Sequence, residues 1–302
     1  MKRSAFNLLF AGALIMIVLT SFSWLAPNQG SSPCPPIVQS QSNPSALGMG
    51  RCFTENKSFQ DGEEITYKLF YKLKIIWIPA GEVVFSVKDN HDGTLHLSAK
   101  GRTYKSYEWF FKVRNSYECT IDKASLLPNN SLRQIQEGKN RRLYEKVDFD
   151  QEGRQATSHL GRSIDKAQKN ELVLEDCMHD LLSVLYYTRN INLDEQAIGT
   201  KFPIKVFMDQ SIHSLDVIYK GKKERKKIKG NGRFNTIHFR PESVPGRLFD
   251  KSKDKGKKMD IWVSDDQNRL PLMIKTPLAG GQIKAILKRY EGLRHELSAK
   301  VK

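Results

Sequence analysis

Asp176-Cys177-Met178-His179-Asp180-Leu181-Leu182-Ser183-Val184-Leu185-Tyr186-Tyr187-Thr188-Arg189 is the one stretch of this chain with a clear helical period. Apolar residues at Leu174, Cys177, Met178, Leu181, Leu182 and Leu185 follow the spacing of an amphipathic helix. The pattern predicts a helix over 174–189, with Asp176 at its electropositive start and Arg189 at its electronegative end. Nearly everything else after residue 60 reads as short alternating strands. A lone helix between two blocks of strands has to bury its apolar stripe on a sheet.

The first block opens after the turn Gln60-Asp61-Gly62-Glu63, where Ile65, Tyr67, Leu69, Tyr71 and Leu73 alternate with Thr66, Lys68, Phe70 and Lys72. That is a half-buried strand. Pro79-Ala80-Gly81 reads as a turn, and Asn90-His91-Asp92-Gly93 as a hairpin loop. Further strands are expected over 109–113, 116–121, 131–137 and 142–149. After the helix come 202–208, 211–219, 223–229, 236–239, 258–264, 271–276 and 282–290. About thirteen short strands joined by Gly, Asn and Asp turns favour antiparallel pairing. Parallel units would need crossover helices, which are missing. The fold class is therefore mainly β: one strongly curved antiparallel sheet or half-barrel with one central amphipathic helix, or else two small barrels.

The 302 residues are 39% apolar, enough to build a core over most of the length. Lys2 and Arg3 followed by an apolar run make Met1–Ala26 a signal peptide cut before Trp24, or an uncleaved N-terminal anchor. Residues 27–58 are rich in Pro, Ser, Asn and Gln and read as a flexible tether. The β-rich body spans 59–293, and 294–302 is a tail. The expected address is the periplasm or outer envelope. A net charge of +16 then favours anionic membrane surfaces over nucleic acid, which would need a cytoplasmic chain.

Of four cysteines, Cys119 and Cys177 fall on apolar faces and read as small core residues, leaving Cys34 and Cys52 as the candidate disulfide. No spacing calls for a metal or another cofactor, and no nucleophile elbow, phosphate loop or dinucleotide fingerprint occurs. No catalytic residue can be named. The polar side chains Asp176, His179, Asp180 and Arg189 form a possible polar site, since carboxylates four apart share a helix face. The competing reading is helix capping. Trp77, Trp109, Phe111, Leu181, Leu182, Leu185 and Trp262 are the candidate lining of an apolar ligand site, or ordinary core. Lys220, Lys222, Lys223, Arg225, Lys226, Lys227 and Lys229 form a basic patch on an expected hairpin, and a second lysine run spans 251–258.

Three stretches resemble the bacterial exported family called domain of unknown function 3108. They are Gly62-Glu63 with Tyr67, Tyr71 and Pro79-Ala80-Gly81; Asp176 and Asp180-Leu181-Leu182-Ser183 followed by Tyr186, Tyr187 and Arg189; and Ile261-Trp262-Val263-Ser264-Asp265-Asp266 with Arg269-Leu270-Pro271 and Gly280-Gly281. The last also resembles the terminal strands of periplasmic lipoprotein carriers, unclosed barrels whose apolar face binds acyl chains. The resemblance implies export and a β-rich body, without a reaction. Three functions follow: an envelope protein holding a lipid or lipoprotein acyl chain in the sheet's hollow, an interaction protein docking on an anionic partner, and, last, a hydrolase using Asp176 or Asp180.

Overall fold

The computed structural model describes residues 52–73, 75–109, 111–243, 258–278 and 281–301. The N-terminal segment Met1–Ala26, Cys34 and most of the second lysine run lie outside them. The described residues are mainly β, with sixteen strands in one open sheet.

The first half is a meander: β1 (Glu64–Leu73), β2 (Ile76–Asp89), β3 (Thr94–Thr103), β4 (Val113–Asp122), β5 (Pro128–Glu137), β6 (Arg141–Asp150), β7 (Gln155–Gly161) and β8 (Gln168–Val173). The second half runs β9 (Met178–His179), β10 (Lys201–Met208), β11 (Ser211–Ile228), β12 (Gly232–Ser243), β13 (Asp260–Ser264), β14 (Pro271–Leu278), β15 (Gly281–Glu291) and β16 (Lys300–Val301). Pairing β1 with β15 joins the halves, giving the order β8 to β1, then β15 down to β9, with β16 beside β12. All pairs are antiparallel except β9 with β10.

Alternation works as expected where one face is buried. Ile65, Tyr67, Leu69 and Tyr71 of β1 all point inward, as do Val113, Asn115, Tyr117, Cys119 and Ile121 of β4. The inner face carries one core that takes in Leu97, Ile121, Leu182, Ile237 and Leu272. A smaller cluster unites Val147 and Phe149 of β6 with Phe207 of β10, whose ring centroid lies 5.8 Å from that of Phe149. Nearby, Arg133 of β5 pairs with Glu145 at 2.7 Å and with Asp209 in the β10–β11 turn. Strands far apart in the pairing order are thus in side-chain contact.

Several expectations are corrected. Pro79-Ala80-Gly81 is not a turn but lies inside β2, beside a bulge at Leu69/Phe70. A Cβ at Gly81 would collide with the Arg102 carbonyl of β3, so only glycine allows that approach. The expected strands 211–219 and 223–229 are one strand, bent by bulges at Tyr219/Lys222 and Lys223/Lys226. Instead of a strand at 109–113, a single helical turn, α1 (Lys105–Glu108), is followed by coil. Within the C-terminal tail, Ala299 is buried and β16 pairs with β12.

The central helix is shorter than its periodicity suggested. α2 covers only Leu181–Thr188. Met178 and His179 pair with β10 instead, and Cys177 has a left-handed φ of 57° that no helix continues through. Asp180, not Asp176, is the N-cap. Its carboxylate accepts from the Leu182 and Ser183 amides, and the Ser183 hydroxyl accepts from the Asp180 amide. The disulfide is also different: Cys52 bonds to Cys177. Cys177 was apolar in pattern because it is bonded, not because it sits on a helix face.

Candidate functional site

Arg189 follows α2 as its C-cap and is buried. Its Nη1 donates to Glu63 Oε1 at 2.5 Å, and its Nη2 to Glu63 Oε2 at 2.8 Å and to the Ser58 carbonyl at 3.0 Å. Nε donates to the Asn268 carbonyl at 3.1 Å. Four of the five guanidinium donors are therefore committed. The rings of Phe59 and Tyr186 lie 5.4 and 5.5 Å from the guanidinium carbon. Tyr67 Oη donates to the Pro271 carbonyl at 2.8 Å. The N-terminal segment, the helix end and the β13–β14 turn meet at one buried ion pair.

Beside it lies a cavity of about 30 Å³, lined by Ile65, Tyr67, Phe85, Leu185, Tyr186, Arg189, Pro271 and Ile274. At roughly 10–15 Å³ per water on this measure, it has room for about two waters and not for an acyl chain.

The polar residues at the start of α2 are buried as well. The Cys119 thiol donates to Asp180 Oδ1 at 3.1 Å, and His179 Nδ1 lies 3.1 Å from Ser183 Oγ. His179 also packs on Tyr187, with ring centroids 4.6 Å apart. Burial raises the Cys119 thiol and the Asp180 carboxyl above their usual values and pushes His179 down to about 3. A thiol held protonated and an imidazole held neutral, both closed to solvent, make a cap rather than a nucleophile and base. Asp176 takes no part: it is exposed and pairs with Arg154 at 2.7 Å.

His179 carries a pH dependence whose sign is fixed. Its folded pKa lies below its unfolded one, so the stability from burying it neutral is complete above about pH 6.5 and is lost as pH falls towards 3. The raised Asp180 acts in the opposite sense. Subtracting the melting profile of His179→Gln from that of the parent isolates the imidazole, which should contribute a loss of about 3 kcal/mol by pH 4. Parallel profiles would show that His179 is accessible.

On the outer face of the sheet, cations and rings interleave. Lys275 of β14 stands directly opposite Lys284 of β15, which stands opposite Phe70 of β1. Lys284 Nζ lies 3.9 Å from the Trp77 ring centroid, with Lys72 at 5.9 Å. The far part of the β11–β12 ribbon lies against this face. Lys226 Nζ sits 4.0 Å over Trp262, Lys275 is 5.3 Å from the same ring, and Asn231 donates to the Leu287 carbonyl. His238 stacks on Trp262 at 4.8 Å. Partial burial, then the neighbouring charges of Lys223 and Lys275, brings Lys226 down to about 8. Lys284 is lowered by burial and by Lys275, Lys229 and Lys72. Like charges placed opposite one another destabilise a sheet.

The candidate lining residues are thereby separated. Leu181 and Leu182 are in the core, and Leu185 lines the cavity. Trp77 and Trp262 belong to the outer face, Phe111 packs near Gly138, and Trp109 is 83% exposed. None of these four rings lines the cavity, because the inner face is filled by smaller strand residues and by α2. Of the basic patch, Lys220, Lys222, Lys223, Arg225, Lys227 and Lys229 are exposed and Lys226 is half-buried. Lys222 pairs with Asp265 at 3.1 Å. Sequence reasoning missed Glu63 as the partner of Arg189, and Lys275 and Lys284 as members of the basic face. Their side-chain phase on alternating strands was the available signal.

The pattern of a family described as "Protein of unknown function (DUF3108)" matches residues 65–288. The chain belongs to the DUF3108 family. The stretches that carry the DUF3108 resemblance converge in space: Tyr67, Arg189 and Pro271 share the cavity wall, and Glu63 neutralises Arg189. Among solved structures, a β-barrel-like protein of domain of unknown function DUF1849 from Brucella abortus is similar in fold, with a TM-score of 0.50 at 8% identity over 76% of this chain and 96% of that one. A Bacteroides fragilis structure described as an exported protein with a YmcC-like fold gives 0.32 at 10% identity over 79% and 99%. A Parabacteroides distasonis structure described as a lipoprotein gives 0.29 at 6% over 79% and 99%. None of the curated proteins compared with the chain matches it. No helix among the described residues is long and apolar enough to cross a membrane.

Proposed function

We propose that this DUF3108 protein is a non-enzymatic envelope protein whose outer lysine–tryptophan face docks on an anionic, phosphate-bearing partner. The observation that carries the reading is the direct opposition of Lys275 and Lys284, flanked by Lys226 over Trp262 and Lys284 over Trp77. Cations set against one another raise the energy of the free protein, and an anion laid across them relieves it. The buried Trp262 ring and the half-buried Trp77 ring hold the ammonium groups in place.

The interior supports this division of labour. Contacts such as Phe149 with Phe207 fit a sheet strongly curved into a half-barrel around α2. The helix is held at its start by the Asp180 cap and at its end by the Arg189–Glu63 pair, while the Cys52–Cys177 bond lies just ahead of it. In this reading α2 is a fixed plug. A second reading places an apolar ligand in the cavity beside Leu185, which requires α2 to yield its place.

Full-length protein should bind phosphatidylglycerol vesicles at low salt and lose that binding at high salt. Lys275→Gln with Lys284→Gln should weaken it about thirtyfold, since each cation at an anionic surface is worth about 1 kcal/mol. Raising the pH through about 8 should weaken it further as Lys226 discharges. Binding indifferent to salt and to the double substitution sinks the reading. A lipid extracted from the pure protein would move the site indoors.

A further inference from the structure

Resting on that reading, we infer that the partner is a lipid bilayer and that one end of the sheet is built to enter it, with Ile75, Ile76 and Trp109 among the acyl chains and lysines at the phosphates. In an antiparallel meander successive turns alternate between the two ends of the sheet. The β1–β2, β3–β4, β5–β6 and β7–β8 turns therefore share one end, and the β14–β15 turn joins them because β1 pairs with β15. Ile75 is 87% exposed, Ile76 63%, Trp109 83% and Ile164 72%, and all four lie on these turns. The other exposed large apolar side chains among the described residues, Phe53, Val173 and Ile198, lie elsewhere.

The charges are divided in the same way. Exposed cations at this end include Lys105, Lys112, Lys139, Arg142, Arg162 and Lys166. Its acids include Glu108, Glu137 and, at the β10–β11 turn, Asp209, paired with Arg114, Arg141 and Arg133 in that order, together with Asp165. The opposite end carries acidic turns at Asp89–Asp92, Asp150–Glu152 and Asp265–Asp266. β2 runs on from Gly81, its last pairing with β3, back to Ile76, so the β1–β2 hairpin projects beyond its neighbour. The hairpin also carries Lys72 and Trp77, which continue the lysine–tryptophan face to its tip. Apolar tips ringed by cations, on an end whose acids are mostly paired with arginines, match the boundary between acyl chains and anionic headgroups. Water offers no partner that would favour so much apolar surface at one end.

The test uses the full chain and phosphatidylglycerol vesicles carrying brominated acyl chains, which quench a tryptophan only on contact. The difference between the parent and Trp109→Phe reports Trp109 alone, since the other rings and the N-terminal segment are shared. Quenching of that difference signal is expected, together with vesicle binding roughly tenfold or more weaker in Ile75→Asp/Ile76→Asp. Both positions are exposed, so the substitutions should leave the melting temperature unchanged. Salt-sensitive binding that survives Ile75→Asp/Ile76→Asp, with Trp109 unquenched, overturns the insertion while leaving the docking face intact. A protein that dimerises through these tips, with Trp109 unquenched, assigns the end to a second copy and also overturns it. Loss of salt sensitivity and of the Lys275/Lys284 effect would remove the docking face instead.

Discussion

Arg189→Met should cost about 3–5 kcal/mol, the usual loss when one partner of a buried ion pair is removed and the other is left uncompensated. The site leaves little room to escape that cost. Glu63 is almost fully buried, and both its carboxylate oxygens are bound to Arg189. The Ser58 and Asn268 carbonyls would lose their donors as well. Urea unfolding measures the loss, and the N-terminal segment around Ser58 should become sensitive to protease in the same variant. Replacing both charges, Arg189→Met with Glu63→Leu, should recover much of the stability, because two apolar groups remove the desolvation cost along with the attraction. A single Arg189→Met variant that unfolds within about 1 kcal/mol of the parent would mean that the pair is solvated and that α2 is free to move. That result would reopen the interior as a ligand site.

The second large effect belongs to the disulfide. Cys52 and Cys177 are separated by 125 residues, so their bond closes a loop spanning the whole first half of the sheet. Removing it with Cys52→Ser and Cys177→Ser should cost roughly 2–5 kcal/mol, most of it through the freer unfolded chain. Matched calorimetry of the two forms measures the difference. A reduced parent should behave like the double variant. A single substitution should do the same, with an added free thiol available to alkylation. No change in melting temperature on reduction would show that the bond is not formed in solution. Cys119 should resist alkylation in the folded protein in every case, because it is buried and its thiol is held protonated.

Legibility of the fold followed burial. β1 and β4 announced themselves because one face of each is buried and the other wet, which writes a period of two into the residues. β8 did not: nearly every residue of Gln168–Val173 is exposed, so no alternation exists to be read. The boundary of α2 was misplaced for a related reason. Met178 is fully buried through its strand contact with β10, and Cys177 is half-buried and bonded to Cys52, yet both happen to continue the helical spacing of Leu181, Leu182 and Leu185. A periodicity argument cannot separate residues buried by different neighbours.

The site was legible in its parts and not in its assembly. Asp180, Leu181, Leu182, Ser183 and Arg189 were all visible as a group on one stretch. That Asp180 caps, and that its neighbours His179 and Cys119 are sealed in with it, depends on strand β4 lying against the helix start. The lysines of 220–229 were visible as a run, whereas Lys275 and Lys284 are scattered singles that matter only because registration places them opposite each other.

The stretch Asp176–Arg189 by itself determined that a helix would lie on a sheet, since an apolar stripe with nothing else helical nearby has only strands to cover it. Alternation and turn chemistry likewise determined an antiparallel β body. Only the tertiary structure decided that Glu63, 126 residues away, neutralises Arg189, that Cys52 reaches Cys177, and that lysines from the β11–β12 ribbon, β14 and β15 meet over two tryptophans. Local patterns record which side of a residue is buried. They do not record by what, and long-range partners are fixed by strand registration that no single segment contains.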